Sequence, residues 1–300
     1  MRRFLLVLTA IIMSVLMAGC SSRAHINDMF NAFEIETAEK IPYVHYGTLV
    51  VNDKTLNFNE LLDANGYNAT FHEVYVIQGN TVWFGFADAE RNKNGSRTWH
   101  IASVTTDGTD LNIPFSNEFC SASGSVRTYW RNNYCSTQER YLAANGYYYD
   151  GKIILTDHVK VVEFDLATIG SKEFLAENYH FPTLPIEAEI TDSQSITFYK
   201  NAESQIFDAE NGKQTSKAFE NLYELEKEKN WQGKSYLSGL FSNVQIVNNQ
   251  VFIICSVLNW DGETHAIVFQ YDFEDNSCKY AFHCFMDDVI SNHLYVVPMI

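Results

Sequence analysis

The side chains able to do chemistry are spread along the chain rather than gathered into one motif. Of nine histidines, His283 with its neighbour Cys284, together with His265 on an adjacent predicted strand, make the nearest approach to a metal-ligand set. Short ligand spacing is missing, so the expectation is core or surface histidine and no metal. Asp88, Glu90, Asp107, Asp110, Asp261 and Glu263 fall near predicted hairpins. Calcium ligands sit in such places, but no D-x-D-x-D-G loop occurs, and these read as solvated turn residues. A glycosidase holds two carboxylates about 5–10 Å apart. Glu73, Asp157, Asp192 and Asp288 are the acidic candidates, and nothing in their spacing joins two of them. There is no G-x-S-x-G elbow, P-loop, H-E-x-x-H or dinucleotide fingerprint. The sequence therefore assigns no catalytic residue and no cofactor.

Cysteines and aromatics offer more. Cys120 and Cys135 lie 15 residues apart in one long irregular stretch. A disulfide there would stabilise the fold by about 3 kcal/mol through loop entropy. Cys278 and Cys284 lie on one predicted strand, nominally on the same face and about 20 Å apart, too far to bond. With Cys255 they read as buried thiols. Tyr129, Trp130 and Tyr134 fall in the long irregular stretch, and Tyr147, Tyr148 and Tyr149 are consecutive. At least one of those three must point away from its neighbours on a strand. Aromatics displayed on a rigid rim bind sugars or a partner protein, which makes Tyr129, Trp130 and Tyr147 the candidate ligand-binding residues.

Composition limits the partners. The chain has 300 residues, is 46% hydrophobic and 14% aromatic, and carries a formal charge of -16. Such acidity opposes binding to nucleic acid, which depends on Lys and Arg replacing counterions. It also opposes adsorption to anionic lipid. A membrane location would need a means of attachment other than surface charge.

The elements that would position these residues come from a repeated hairpin phrase. Its clearest copy is QIVNNQVFIICSV, residues 245–257. Others are VYVIQGNTVWFGF at 74–86, GYYYDGKIILTD at 146–157, AEITDSQSITFYK at 188–200 and DVISNHLYVVPMI at 288–300. Second strands begin near Val82, Ile153, Ile196, Val251 and Leu294, with successive spacings of 71, 43, 55 and 43. A period near ~45 with insertions is that of four-stranded propeller blades. Val251 to Cys255 is apolar at every position, as expected of a strand packed on both faces. The predicted fold is all-β: a β-propeller over residues 41–300, five four-stranded blades with minor helices. A sixth blade is possible if the stretch 116–146 holds one. Strands predicted at Tyr43–Val51 and Leu56–Phe58 lack inner partners, and Leu294–Ile300 would leave a sticky edge. Pairing them closes the terminal blade with both chain ends. A short helix, ELLDA, is predicted with Asn59 as its cap, and a longer one over KAFENLYELEKEKNW.

At the amino terminus, Arg2 and Arg3 precede an apolar run from Phe4 to Met17, shorter than the ~20 residues of a membrane span and suited to a signal peptide. Leu16-Met17-Ala18-Gly19-Cys20 follows. It resembles the lipobox of bacterial membrane lipoproteins at every position. The resemblance covers only these first residues and implies removal of residues 1–19, a diacylglyceryl thioether on Cys20 and acylation of the new amino group. Two or more acyl chains hold a protein firmly to a bilayer. Residues 20–40 read as a tether. With Ser21 and Ser22 in place of Asp, the same resemblance implies the outer membrane in a diderm host; a monoderm host would display the protein outside its single membrane.

These readings combine into an expectation. The chain is a lipid-anchored, extracytoplasmic propeller of the bacterial cell envelope, with an envelope protein or a glycan as partner. It binds or scaffolds rather than catalyses. The alternatives are a glycosidase-like propeller enzyme and an envelope-assembly or sensor subunit.

Overall fold

The computed structural model describes residues 41–119, 145–157, 159–180, 186–192, 195–200, 203–208, 241–247, 250–258, 264–286 and 294–300. The fold is all-β and propeller-like: the described strands pair into separate antiparallel sheets that stack face against face. In chain order the strands are β1 (Tyr43–His45), β2 (Thr48–Val51), β3 (Lys54–Asn57), β4 (Ala69–Gln78), β5 (Thr81–Asp88), β6 (Arg97–Thr105) and β7 (Asn112–Phe119). They continue with β8 (Asn145–Tyr149), β9 (Lys152–Thr156), β10 (Lys160–Asp165), β11 (Gly170–Leu175), β12 (Ile186–Asp192), β13 (Ser195–Lys200) and β14 (Glu203–Asp208). The last five are β15 (Phe241–Val247), β16 (Gln250–Leu258), β17 (Thr264–Asp272), β18 (Ser277–Met286) and β19 (Leu294–Val296).

Four sheets are four-stranded: β4–β7, β8–β11, β15–β18, and one in the order β19-β1-β2-β3. The fifth group, β12–β14, has three strands. The expected five four-stranded blades are therefore corrected to four among the described residues. No fourth strand of the β12–β14 unit falls among the described residues, and the helix predicted over KAFENLYELEKEKNW also lies outside them.

Both chain ends do share one sheet, with a different division of labour from that expected. Tyr43–Val51 is not one strand but a hairpin, because Tyr46 and Gly47 turn the chain with φ of 47° and 73°. The amino-terminal stretch thus supplies three strands and the carboxyl end one, β19, paired to β1 through Tyr43–Val296 and His45–Leu294. Beyond it the chain leaves this sheet. The Ile77 amide donates to the Pro298 carbonyl and the Ile300 amide to the Ile77 carbonyl, each at 2.9 Å, so the carboxyl terminus is fastened to β4 of the neighbouring sheet. Gln245 on β15 adds a second fastening. Its Nε2 donates to the Leu294 carbonyl (3.1 Å) and its Oε1 accepts from the Val296 amide (2.6 Å). A buried side-chain amide here does the work of a strand partner.

Turn chemistry follows the sequence. Asn52 and Asp53 both take positive φ, 50° and 63°, as a two-residue hairpin turn of the right twist requires. The short helix α1 (Phe58–Ala64) is capped by Asn57 rather than Asn59: the Asn57 Oδ1 accepts from the amides of Asn59 and Glu60 at 3.0 and 3.1 Å. Its buried face is Phe58, Leu61 and Leu62, and Phe58 stacks on Phe71 at 4.5 Å.

Four apolar clusters lie between sheets. One joins Leu49, Val51 and α1 to Val74, Phe84 and Phe86 of β4–β7. A second joins the other face of β4–β7, through Trp83 and Trp99, to Ile153, Leu155 and Phe164. A third packs Phe252 and Val268 of β15–β18 against Leu294 and Val296. The fourth packs Val251, Ile253 and Phe269 against Ile196, Phe198 and Phe207. The sheets therefore stack in the order β8–β11, β4–β7, β19-β1-β2-β3, β15–β18, β12–β14, and the middle three are covered on both sides.

The thiols of Cys255 and Cys278 are buried, as expected, and Cys284 is half-buried. Cys278 and Cys284 do not share a face. Phe269 pairs with Tyr280 but Val268 pairs with Phe282, so Ala281 is a bulge that reverses the alternation. Cys278 consequently joins one core and Cys284 lies against the opposite one.

Candidate functional site

Two polar groups on the described sheets are organised enough to act. The first surrounds Tyr147, the one proposed ligand-binding residue that falls among the described residues. Register sets it up: Tyr147 pairs with Ile154, Ile154 with Glu163, and Glu163 with Lys172. This row crosses β8–β11 on the face opposite the Ile153, Leu155 and Phe164 core. Strand alternation sends Tyr148 into that core and leaves Tyr147 and Tyr149 half-buried on the polar side. Of three consecutive tyrosines, one points away from the other two, as the sequence required.

Glu163 is the hub. Lys152 Nζ lies 2.9 Å from its Oε2, and the Tyr179 hydroxyl donates to its Oε1 at 2.7 Å. Burial pushes the Glu163 carboxyl up, but the hydrogen bonds from Lys152 and Tyr179 and the charges of Lys152 and Lys172 outweigh it and hold it below the usual range. The hydrogen bond to Glu163 raises Lys152 in turn. Burial drives the Tyr147 hydroxyl far above its ordinary value, and Tyr179, Glu163 and Tyr149 add to the effect. The tyrosines therefore act as neutral hydroxyls beside a fixed ion pair, a surface for hydrogen-bonding recognition rather than proton transfer.

The second group lies across β5, β6 and β7. Phe71, Phe86, His100 and Ser116 form one cross-strand row. The His100 ring stacks on Phe86 at 4.5 Å. Its Nδ1 is 2.8 Å from Ser116 Oγ and its Nε2 is 3.0 Å from Asp88 Oδ1. The His100 side chain is 13% exposed and that of Asp88 43%; Ser116 is exposed on the outermost strand. Next to it, Asn117 points to the other face, where Lys160 Nζ donates to its Oδ1 at 3.0 Å and its own Nδ2 donates to Glu173 at 3.3 Å. These contacts pin β7 to β10 and β11.

Sequence reasoning missed this second group. In the sequence Asp88 reads as a turn carboxylate, His100 is one of nine histidines, and Ser116 opens an irregular stretch. No local signal marks it: β7 runs on to Phe119, and only a strand of that reach brings Ser116 opposite His100.

The remaining anticipated residues are placed as follows. Asp157 is buried, and its Oδ1 accepts from the amides of Val159 and Lys160, each at 2.8 Å, which fixes its own turn. Asp107 closes a turn likewise: hydrogen bonds from Thr105 and Thr109 lower its carboxyl to about 2. Glu73 is buried on β4. Cys20, Cys120, Cys135, Tyr129, Trp130, Asp261, Glu263 and Asp288, and the side chains of Asp192, His265 and His283, lie outside the described residues. Among the described residues no three of His, Cys, Asp and Glu stand together as a metal site, and no helix is long and apolar enough to cross a membrane.

No family model matches the chain, and no curated protein matches it. Solved structures give distant matches. A chain of an S. cerevisiae assembly of Dbp5 bound to Nup159, Gle1, IP6 and ADP is 11% identical, covering 85% of this chain and 69% of that one, with a TM-score of 0.21. The N-terminal domain of Nup159 is 10% identical over 85% and 70% of the two chains, with a TM-score of 0.20. The tricorn protease is 10% identical over 78% and 27%, with a TM-score of 0.18. Likeness at this level carries no argument, and the fold stated above rests on strand pairing and packing.

Proposed function

We propose that this protein is a lipid-anchored, extracytoplasmic binding or scaffold protein of the bacterial cell envelope. Its anchor is the acylated Cys20, and its β12–β14 sheet is the fifth blade of a propeller. The address is supported by the lipobox-like stretch from Leu16 to Cys20 behind Arg2, Arg3 and an apolar run. The blade is supported by the apolar cluster that packs β12–β14 on β15–β18 as the other sheets pack on one another.

The binding role rests on one observation: the Tyr147, Lys152, Glu163 and Tyr179 group on a sheet face with no apolar cluster against another sheet among the described residues. Half-buried tyrosines around an ion pair offer stacking surface and directed hydrogen bonds, the chemistry that glycans and polar protein surfaces take. The carboxylates considered for a glycosidase lend that alternative less support, because Asp157 is committed to its turn.

The test has three parts. The tagged full-length protein is extracted in detergent and its partners captured. The same preparation is applied to a glycan array. A Tyr147→Ala, Tyr179→Ala variant is run beside it. A stoichiometric envelope protein, or a glycan signal, that disappears in the variant supports the reading; capture unchanged by the variant moves the binding face elsewhere. Cys20→Ala is expected to release the protein from the membrane fraction, and retention of that variant on membranes would overturn the anchor.

A further inference from the structure

We infer that Ser116, His100 and Asp88 form a nucleophilic serine site that turns over small carboxylic esters, an activity separate from binding at the Tyr147 face. The three side chains make an unbroken hydrogen-bonded line, with Ser116 Oγ 2.8 Å from His100 Nδ1 and His100 Nε2 3.0 Å from Asp88 Oδ1. A carboxylate only accepts hydrogen bonds. Asp88 therefore selects the tautomer with its hydrogen on Nε2, and the Nδ1 lone pair is left facing the serine hydroxyl. The two imidazole nitrogens are used in the reverse sense from the serine proteases, but nucleophile, base and the group that orients the base are all present.

The surroundings suit the assignment. Stacking on Phe86 fixes the plane of the imidazole. The ring is largely shielded while Ser116 is exposed on an outer strand, so a substrate can reach the oxygen without opening the core. Asn117 holds β7 against the next sheet through Lys160 and Glu173. Two residues along from Ser116 stands Glu118, whose Oε2 accepts from Ser96 Oγ at 3.2 Å and from Asn94 Nδ2 at 3.4 Å. With Glu118 and Asp88 close by and a chain charge of -16, the site favours uncharged or cationic esters and repels anionic ones.

The step balances without any further reactant. Ser116 Oγ bonds to the ester carbonyl carbon as its proton passes to His100 Nδ1. The ester carbon–oxygen bond breaks, and the departing alkoxide takes that proton and leaves as the alcohol. Water then attacks the acyl-serine with His100 again accepting the proton. The acid departs, and the proton returns to Ser116 Oγ.

The full-length protein is treated with an uncharged fluorophosphonate probe, and p-nitrophenyl acetate hydrolysis is followed in parallel. One covalent adduct is expected, mapped by mass spectrometry to Ser116. Ser116→Ala abolishes it, and the exposed control Ser171→Ala leaves it intact. His100→Gln slows labelling by ~100-fold or more, the usual scale of general-base catalysis. Asp88 acts through His100 as a positioning residue. Asp88→Asn is expected to lower the maximal labelling rate while the probe concentration giving half that rate stays the same, a split that loss of folding would not produce. Thermal melts confirm that each variant is folded. An unlabelled wild type, an adduct on another serine, or full-rate labelling of folded His100→Gln would each overturn the assignment.

Discussion

Sheets β15–β18 and β12–β14 pack against each other, yet their strands are written differently. In β16 every residue from Val251 to Cys255 is buried. Val251, Ile253 and Cys255 face one core, and Phe252 and Ile254 face the other. In β14 only Phe207 is buried, and the adjacent Ile206 is 56% exposed. In β13 Phe198 is fully buried while Tyr199 is 42% exposed. The difference reflects position in the stack. A strand with a sheet on each side must be apolar at every residue, and one with a sheet on one side needs only alternate residues. The continuous apolar run of β16 fits its place between two sheets, and the alternation in β14 fits a sheet covered on one side among the described residues.

The largest effect should come from the doubly covered sheet. Phe252 is 1% exposed and wedged against Leu294 and Val296. Phe252→Ala is expected to cost about 3–5 kcal/mol, combining lost transfer energy with the cavity left behind. Urea unfolding followed by tryptophan fluorescence measures it. A loss under ~1 kcal/mol would mean that β15–β18 is not packed on its second side.

Closure of the terminal sheet should give the next effect. Gln245→Leu keeps approximate volume but leaves the Leu294 carbonyl and the Val296 amide without their side-chain partner. Each buried polar group so stranded costs about 1–3 kcal/mol. The carboxyl strand should loosen before the rest of the fold, so hydrogen exchange at the Val296 amide is expected to speed up more than exchange in β5 or β16. Equal acceleration everywhere would mean that Gln245 supports general stability and not closure.

The polar face of β8–β11 should respond to acid. Despite its burial, the Glu163 carboxyl is held below the ordinary glutamate value by its hydrogen bonds from Lys152 and Tyr179. Its contribution is present above that value and is lost as pH falls through the depressed folded value. Because the Lys152 side chain is 41% exposed, screening keeps the effect to about 1 kcal/mol or less. Glu163→Gln should flatten this acid limb of the stability profile and leave stability between pH 6 and 8 nearly unchanged. An acid limb identical in wild type and variant would show that other carboxylates set it.

Much of this architecture was legible because its signals are local. β6 and β9 have the bounds that alternation and turn residues predict, Arg97–Thr105 and Lys152–Thr156. The features that escaped depend on partners distant in sequence or on backbone details without a residue signature. Tyr46 takes a positive φ of 47° with an ordinary side chain, which hid the turn between β1 and β2. The bulge at Ala281 follows from pairing with β17 and separates two cysteines that strict alternation places together. Pro114 sits within β7, which as an outermost strand tolerates proline. The strand runs on to Phe119 and thereby aligns Ser116 with His100. The lipobox-like stretch could be read from sequence, whereas the candidate serine group could not, because its three members meet only through sheet register.

The smallest expected effect returns to the end of the stack. Ile206 pairs with Thr197 on the side of β12–β14 away from the core that holds Phe207. Since Ile206 is already 56% exposed, Ile206→Thr gives up little burial and keeps the β-branched shape that a strand favours. The change in stability should stay within about 0.5 kcal/mol, several-fold below that of Phe252→Ala under the same urea conditions. A loss approaching 2 kcal/mol would mean that this face is covered in solution and that the stack continues past β12–β14. The neutral result would instead leave the Ile206 and Tyr199 side of the sheet open to solvent.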